Sequence, residues 1–356
     1  MNKNTNCINS DKKVIRVNLE VTRKCILNCR MCHAWKNSVD AEELTIEEWR
    51  GFINSLDGKF DADISISFGG GEALLKDGIL DIVNLCSKKK YETVIPTNAF
   101  IIDREMAQKI VDSGLNMLYI SLDSCNEETH DYLRGTKGTY YNAMRAIDYI
   151  AEFRKNDPRI QIGTVISDKN LDDLVRLAHW ACTDKRLFGI TFQAITTPFY
   201  TPEDAMWYTK DEYRDLWPKD INKVRKVIRQ IIKLKEKGYK IWNPVSQLEV
   251  FIDYYENPER FIKKGACHLG YNYFGIGSHG DVFLCFMSEP INNIREYDFD
   301  EIWNSERAQQ ARQNIKQCER NCQILINCWF DDNRPHIKGG MGLWRIIQRK
   351  ILGFAI

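Results

Sequence analysis

Between residue 14 and about residue 200, short β-rich runs alternate with longer helical ones. "VIRVNLEVT", "ADISISFGG", "ETVIPTN", "MLYISLD", "RIQIGTVIS" and "GITFQAI" have strand length and are rich in β-branched and aromatic residues. Between them lie "TIEEWRGFINSL", "LKDGILDIVNLCSKK", "DREMAQKIVDSG", "GTYYNAMRAIDYIAEFRKN" and "NLDDLVRLAHWACTD", where apolar residues recur at helical spacing. A strand that returns through a helix to the next strand builds a parallel sheet with right-handed crossovers. Six such strands predict an α/β fold, an open or partial TIM-like (β/α)6 barrel. Functional groups then belong in the loops at the C-terminal ends of the strands.

The first of those loops, within "VTRKCILNCRMCHAW", sets Cys25, Cys29 and Cys32 at C-x3-C-x2-C spacing. The chain holds 12 cysteines in 356 residues. In a reducing compartment clustered thiols signal metal or catalysis rather than disulfides. The start of the sequence lacks the apolar stretch of a secretory signal, and no apolar run reaches the roughly 18 residues of a membrane span. The expected location is cytoplasmic. With 50 basic and 49 acidic residues, the charge balance argues against a nucleic-acid surface spread over the protein. Three thiolates can hold a tetrahedral metal or three corners of an iron–sulfur cube. A structural zinc usually takes four protein ligands, and only His33 stands near enough to supply the fourth. A cluster can instead leave one iron open to an external ligand.

After the helical runs "INKVRKVIRQIIKLKEKG" and "PVSQLEVFIDYYENPERFIKK", the composition shifts toward Cys, Gly and aromatic residues. The reading divides the chain into a barrel at 14–225, a helical linker at 226–265, a small metal-stapled domain at 266–332 and a tail at 333–356. In the small domain Cys267, Gly280 and Cys285 form C-x12-G-x4-C, with "HGD" as a hairpin turn. "CERNCQILINC" adds Cys318, Cys322 and Cys328. Five thiols supply one four-ligand cluster with a spare, or two clusters completed by other ligands; zinc is the alternative. In the tail, Leu343, Ile346, Ile347 and Ile351 share one helical face, opposite Arg345, Gln348 and Arg349. Such a tail packs on its own protein or makes a weak membrane or partner contact. Cys86 and Cys182 fall in helical patterns as small core residues.

Four motifs in order resemble the radical S-adenosylmethionine (SAM) superfamily. The three cysteines after the first strand resemble its signature. "GGGEALL" resembles its Gly-Gly-Glu motif at Gly70, Gly71 and Glu72, and "PTNAF" its Thr-Asn-Gly turn, with Asn98. "YISLDSCNEETHDYLRG" resembles its strand-four segment ending in Arg-Gly. The second cysteine group resembles the auxiliary-cluster domains called SPASM and, when shortened, twitch. The departures are Met31 where an aromatic is usual, Ala73 for Pro or Thr, and Ala99 for Gly. In the small domain C-x3-C replaces C-x2-C, and Asp332 stands where a fourth cysteine is usual.

The resemblance implies a [4Fe–4S] cluster on Cys25, Cys29 and Cys32 whose open iron chelates SAM. One electron, from a donor such as flavodoxin or ferredoxin, would then yield methionine and a 5′-deoxyadenosyl radical that abstracts hydrogen. Gly70 and Gly71 would permit close backbone approach, and Glu72 would accept from the SAM ammonium. Ser121 and Asp123 would meet the ribose hydroxyls and Arg134 the SAM carboxylate; Asn98 joins the same set. Local capping is the plainer role for Glu72, Ser121 and Asp123. An auxiliary [4Fe–4S] cluster on Cys267, Cys285 and two of Cys318, Cys322 and Cys328 would accept an electron after hydrogen abstraction. Cys125, just after the fourth strand, is either a plain loop thiol or a hydrogen donor, as in an epimerase. The implied substrate is a peptide or protein undergoing oxidation, cross-linking or epimerisation. The alternatives are a small molecule (aminosugar, nucleoside or glycan precursor) and a non-catalytic metal-binding protein. The aromatic-rich run "TPFYTPEDAMWYTKDEYRDLWP" suits a pocket wall.

Overall fold

A computed structural model of the chain describes residues 14–36, 42–198, 200–201, 204–263, 269–318, 324–327 and 335–337. Six parallel strands run in sequence order: β1 (Val14–Thr22), β2 (Asp63–Gly70), β3 (Glu92–Thr97), β4 (Met117–Ser121), β5 (Arg159–Ile166) and β6 (Gly189–Ala194). Helices α1 (Ile46–Ser55), α2 (Ile79–Lys88), α3 (Arg104–Asp112), α4 (Glu127–Arg134), α5 (Thr139–Phe153) and α6 (Leu174–Thr183) connect them. The fold is a partial TIM-like barrel: β1 and β6 pair with β2 and β5 respectively, and not with each other. Strand alternation sorts the two faces. Val17, Leu19 and Val21 of β1 are buried in the core, while Asn18 and Glu20 alternate with them on the opposite face. Within the sheet, Gly163 leaves room for Tyr119, because a Cβ there would lie 2.0 Å from that ring.

Expected boundaries hold closely for most elements, and a few local signals explain them. Thr45 and Glu48 form a capping box that starts α1, and Gly78, at φ +78°, starts α2 inside the longer helical run read from sequence. α4 was absent from that reading. A division at 225/226 would cut α7 (Ile221–Glu236). Far from linking domains, α7 and α8 (Val245–Glu256) bury Val224, Ile228, Phe251 and Tyr254 in the same core as the barrel.

The small domain also differs from a separate unit. After β7 (Phe261–Lys263), strands β8 (Tyr273–Ile276), β9 (Asp281–Phe283) and β10 (Asn292–Asn293) continue the barrel sheet. β8 pairs in parallel with β1, so one nine-stranded sheet runs from β10 to β6. Gly280, at φ +97°, makes the β8–β9 turn, where a Cβ would meet the Asn293 side chain at 2.6 Å. Phe274 of β8 packs on Phe52 of α1, and with Phe299 and Trp303 of α9 (Phe299–Asn304) it forms one aromatic cluster. These rings bury large apolar area, which favours a joint core over two independent ones.

The far edge, β6, is capped by side chains acting as a neighbouring strand. Asn243 accepts from Phe192 N–H at 2.7 Å and donates to its carbonyl at 2.8 Å. Asn327, in α11 (Ile324–Asn327), does the same for Ala194, at 2.8 Å each way. Gln247 ties the two clamps, donating to the Ile326 carbonyl at 2.6 Å. Among the described residues, no helix is long and apolar enough to cross a membrane. Cys7, Cys267, Cys322, Cys328, Asp332 and the amphipathic tail lie outside the described residues.

Candidate active site

The cysteine loop follows β1 and is held on both flanks. Gly71 N–H donates to the Thr22 carbonyl at 2.7 Å, and Glu72 N–H to that of Lys24 at 2.8 Å. Arg30 N–H donates to Leu133 at the end of α4, at 3.0 Å, and Trp35 Nε1 to the Cys29 carbonyl at 3.3 Å. The two glycines of the Gly-Gly-Glu motif allow this contact. A Cβ on Gly70, at φ +110°, would stand 2.2 Å from the Thr22 oxygen, and one on Gly71 2.2 Å from the Lys24 oxygen. Their close approach is thus to the cysteine loop itself.

Cys25, Cys29 and Cys32 line one side of a cavity of about 550 Å³. The C-terminal ends of the other strands close it through Ser121, Val165 and Gln193, and the segments after β2 and β3 through Glu72 and Asn98. Phe286, Met287, Trp35 and Tyr200, all partly exposed, also line it. Burial pushes the Cys29 thiol up to about 12 against the pull of Arg134, and burial also raises Cys25. Thiols so buried stay protonated alone and ionise when a metal supplies the positive charge. Among the described residues no three His, Cys, Asp or Glu side chains converge on one ion. Three thiols on one cavity-lining loop fit a cluster, in which separate irons take separate thiolates.

Glu72 is buried, and both its oxygens are engaged. Oε1 accepts from the Thr97 hydroxyl at 2.9 Å and Oε2 from Asn98 N–H at 2.8 Å, and burial raises the carboxyl to about 7. Glu72 therefore both caps the Ala73–Leu75 turn and lines the cavity. Asn98 Nδ2 reaches Cys25 Sγ at 3.9 Å. Ala99 holds a left-handed φ of +61°, the conformation a glycine would take without strain.

Two expectations are corrected by placement. Asp123 is fully buried and lines no part of the cavity, so it is not placed to meet a ribose. Its Oδ1 accepts from Val165 N–H at 3.0 Å, and its Oδ2 lies 2.8 Å from Arg134 Nε, an ionic contact off the hydrogen-bond angle. Arg134 lines the cavity beside Cys29, with its charge balanced from behind by Asp123. His130 Nδ1 accepts the Asp123 N–H at 3.1 Å and completes the buried group. Cys125 likewise lines no part of the cavity. Its N–H donates to Asp173, and its half-buried thiol packs toward the barrel exterior near Arg176, where burial raises it to about 11. That position does not serve hydrogen donation into the cavity.

Neighbouring residues complete the surroundings of the site. His33 turns away from the fourth-ligand role: its Nε2 lies 2.6 Å from the Tyr213 hydroxyl and 3.1 Å from Glu212, which anchors the aromatic-rich run beside the loop. Tyr200 donates to Glu20, which also takes Arg23 Nε at 2.6 Å and Ser278 Oγ at 3.2 Å, closing the open seam of the barrel. Cys285 stands next to the cavity rim, with Met287 N–H on its sulfur at 3.4 Å. Cys318 is half-buried just beyond α10 (Glu306–Lys316). Asn327 reaches the cavity wall, one residue before Cys328.

Comparisons with known proteins agree with this geometry. Residues 19–181 match the radical SAM superfamily, and residues 267–329 match SPASM, an iron–sulfur cluster-binding domain. The chain is a radical SAM superfamily member with a SPASM domain. It is 27% identical over 320 residues to the AdoMet-dependent heme synthase of Methanosarcina barkeri, covering 86% of each chain. It is 26% identical over 306 residues to the sporulation killing factor maturation protein SkfB of Bacillus subtilis, covering 86% of this chain and 68% of that one. Its fold is similar to Streptococcus suis SuiB bound to S-adenosylmethionine, with TM-score 0.64 and 17% identity, covering 88% and 74% of the two chains. SuiB has also been solved bound to a precursor peptide, SuiA. The two domains bring a SAM-binding [4Fe–4S] cluster, SAM and an auxiliary cluster.

Proposed function

We propose that this radical SAM enzyme abstracts a hydrogen atom from a peptide or protein substrate, leading to oxidation, cross-linking or epimerisation. The observation that carries the reading is the shared cavity: Cys25, Cys29 and Cys32 line it together with Phe286 and Met287, which directly follow Cys285. Cys25, Cys29 and Cys32 would hold the first cluster. Cys267, Cys285 and two of Cys318, Cys322 and Cys328 would hold the second. Held by Cys25, Cys29 and Cys32 with SAM and given one electron, the first group would supply a 5′-deoxyadenosyl radical. The chain's own residues would do the rest: Arg134, backed by Asp123, would meet the SAM carboxylate, and Glu72 and Asn98 its amino group. Trp35, Tyr200, Phe286 and Met287 would exclude water and contact the substrate.

The lining supports a peptide over a tetrapyrrole. Among the described lining residues Arg134 is the one basic side chain, and Asp123 already balances it, which poorly complements a porphyrin's several carboxylates. Thr196, Thr197, Thr201 and Gln193 instead offer neutral hydrogen bonds suited to peptide groups. A small neutral metabolite is the second reading. We place the enzyme in the cytoplasm, where its thiols and clusters stay reduced. The test is anaerobic reconstitution with SAM, reductant and candidate peptides in deuterated buffer. 5′-Deoxyadenosine together with a two-proton mass loss supports dehydrogenation or cross-linking, and retained deuterium supports epimerisation. Turnover of small metabolites but no peptide contradicts the proposal.

A further inference from the structure

The cysteine loop alternates like a strand. Cys25, Leu27, Cys29 and Met31 line the cavity, while Lys24, Ile26, Asn28 and Arg30 are exposed to solvent. A single layer of loop backbone therefore separates the cavity from water. On its outer side Arg30 stacks on Tyr132 of α4, with its guanidinium 4.0 Å from the ring centroid and its Nε 3.0 Å from the Tyr132 carbonyl. The Lys169 ammonium, from the loop after β5, lies 5.8 Å from the same ring. Tyr132 is 38% exposed and Ile26 41%. Lys24, Arg30 and Lys169 form no ion pair among the described residues, and residues 24–32 contain no acid. The exposed acids of α4, Glu127 and Glu128, lie in its first turn, at the end away from Gly135, which packs on Asn28.

We infer that this outer face is the docking site of an acidic one-electron carrier protein. The inference rests on the proposed function, because a centre behind Cys25, Cys29 and Cys32 must be recharged from outside. SAM and substrate fill the cavity side, which leaves the solvent side of the loop for the donor. Three unpaired cations steer a carboxylate-rich partner, and Ile26 with the Tyr132 ring gives the contact a small apolar centre. Electron-transfer contacts are small and weak, so a few cations around a small apolar centre suffice. The reaction balances simply: the reduced carrier gives one electron to the cluster and leaves oxidised, with no proton moved.

The test uses anaerobic holoenzyme as parent, Arg30→Glu, Lys169→Glu, the double variant and Arg30→Lys. The probes are an acidic [2Fe–2S] ferredoxin and photoreduced 5-deazariboflavin, a small uncharged reductant. Two quantities are read: calorimetric binding of oxidised ferredoxin, and the rate of 5′-deoxyadenosine formation with each reductant. The double variant should bind ferredoxin at least tenfold more weakly and lose at least tenfold in ferredoxin-driven rate at low salt. The gap should shrink at high salt. The deazaflavin-driven rate should not change, and Arg30→Lys should stay near the parent. Equal ferredoxin binding and rates across the set overturn the inference, as does an equal loss with both reductants. If the parent yields no 5′-deoxyadenosine even with deazaflavin, the proposed function fails, and the binding comparison alone still decides the docking site.

Discussion

Asp123→Asn removes the charge that balances Arg134 while keeping an oxygen for Val165 N–H. The two side chains meet at 2.8 Å, with side-chain exposures of 11% for Arg134 and 0% for Asp123. Removing one partner of a buried ion pair costs about 3–5 kcal/mol, because the remaining charge keeps its desolvation penalty. At about 2.1 cal/mol/K per residue, a chain of 356 residues unfolds with an entropy of about 0.7 kcal/mol/K, so the variant should melt about 4–7 °C lower. The assay is anaerobic thermal unfolding without SAM, followed by circular dichroism. A double variant, Asp123→Asn with Arg134→Gln, removes both charges and should melt above the single variant. A single variant within about 1 °C of the parent, or a double variant below it, would refute the buried-pair argument.

Three further outcomes follow from other contacts. Gly71→Ala would put a Cβ 2.2 Å from the Lys24 oxygen, so the cysteine loop must shift; iron at the first centre should fall while iron at the second is retained, as read by chemical iron analysis and electron paramagnetic resonance. Burial holds His130 at about 4, below its ordinary 6.5, so the unfolded chain binds more protons between those values. Stability should therefore be full above pH 6.5 and fall by up to about 3 kcal/mol as pH drops toward 4; urea titrations should show this slope, and His130→Gln should flatten it. Asn327→Asp loses the donor to the Ala194 carbonyl and sets two oxygens against each other, costing about 1–3 kcal/mol locally. Iron at the second centre should decline, and a first centre that falls equally would contradict the clamp.

The barrel was legible because each strand carries a compact β-rich run and each helix an apolar stripe, and parallel pairing follows from their alternation. α4 escaped because "EETHDYLR" has a weak apolar stripe, with His130 and Leu133 as its buried residues. The union of β8 with β1 was hidden for a different reason. Arg16–Leu19 meet Tyr273–Ile276 across most of the chain, and local patterns carry no record of such a partner. The motifs located the site but not the division of labour within it. "GGGE" marked close packing, yet what packs is the Thr22–Lys24 backbone. Asp123 and Arg134 were both singled out, but only the fold of α4 shows that Arg134 lines the cavity while Asp123 is its buried counter-ion. Cys125 follows β4 in sequence, and its hydrogen bond to Asp173 turns it toward α6.

The most direct measurement compares electron paramagnetic resonance spectra of the anaerobically reduced protein with and without SAM, in the parent and in a Cys25/Cys29/Cys32→Ala variant. The account predicts that SAM alters one of two cluster signals in the parent, and that the triple variant keeps only the other, unaltered. A parent spectrum indifferent to SAM, or a variant that still responds, would contradict it.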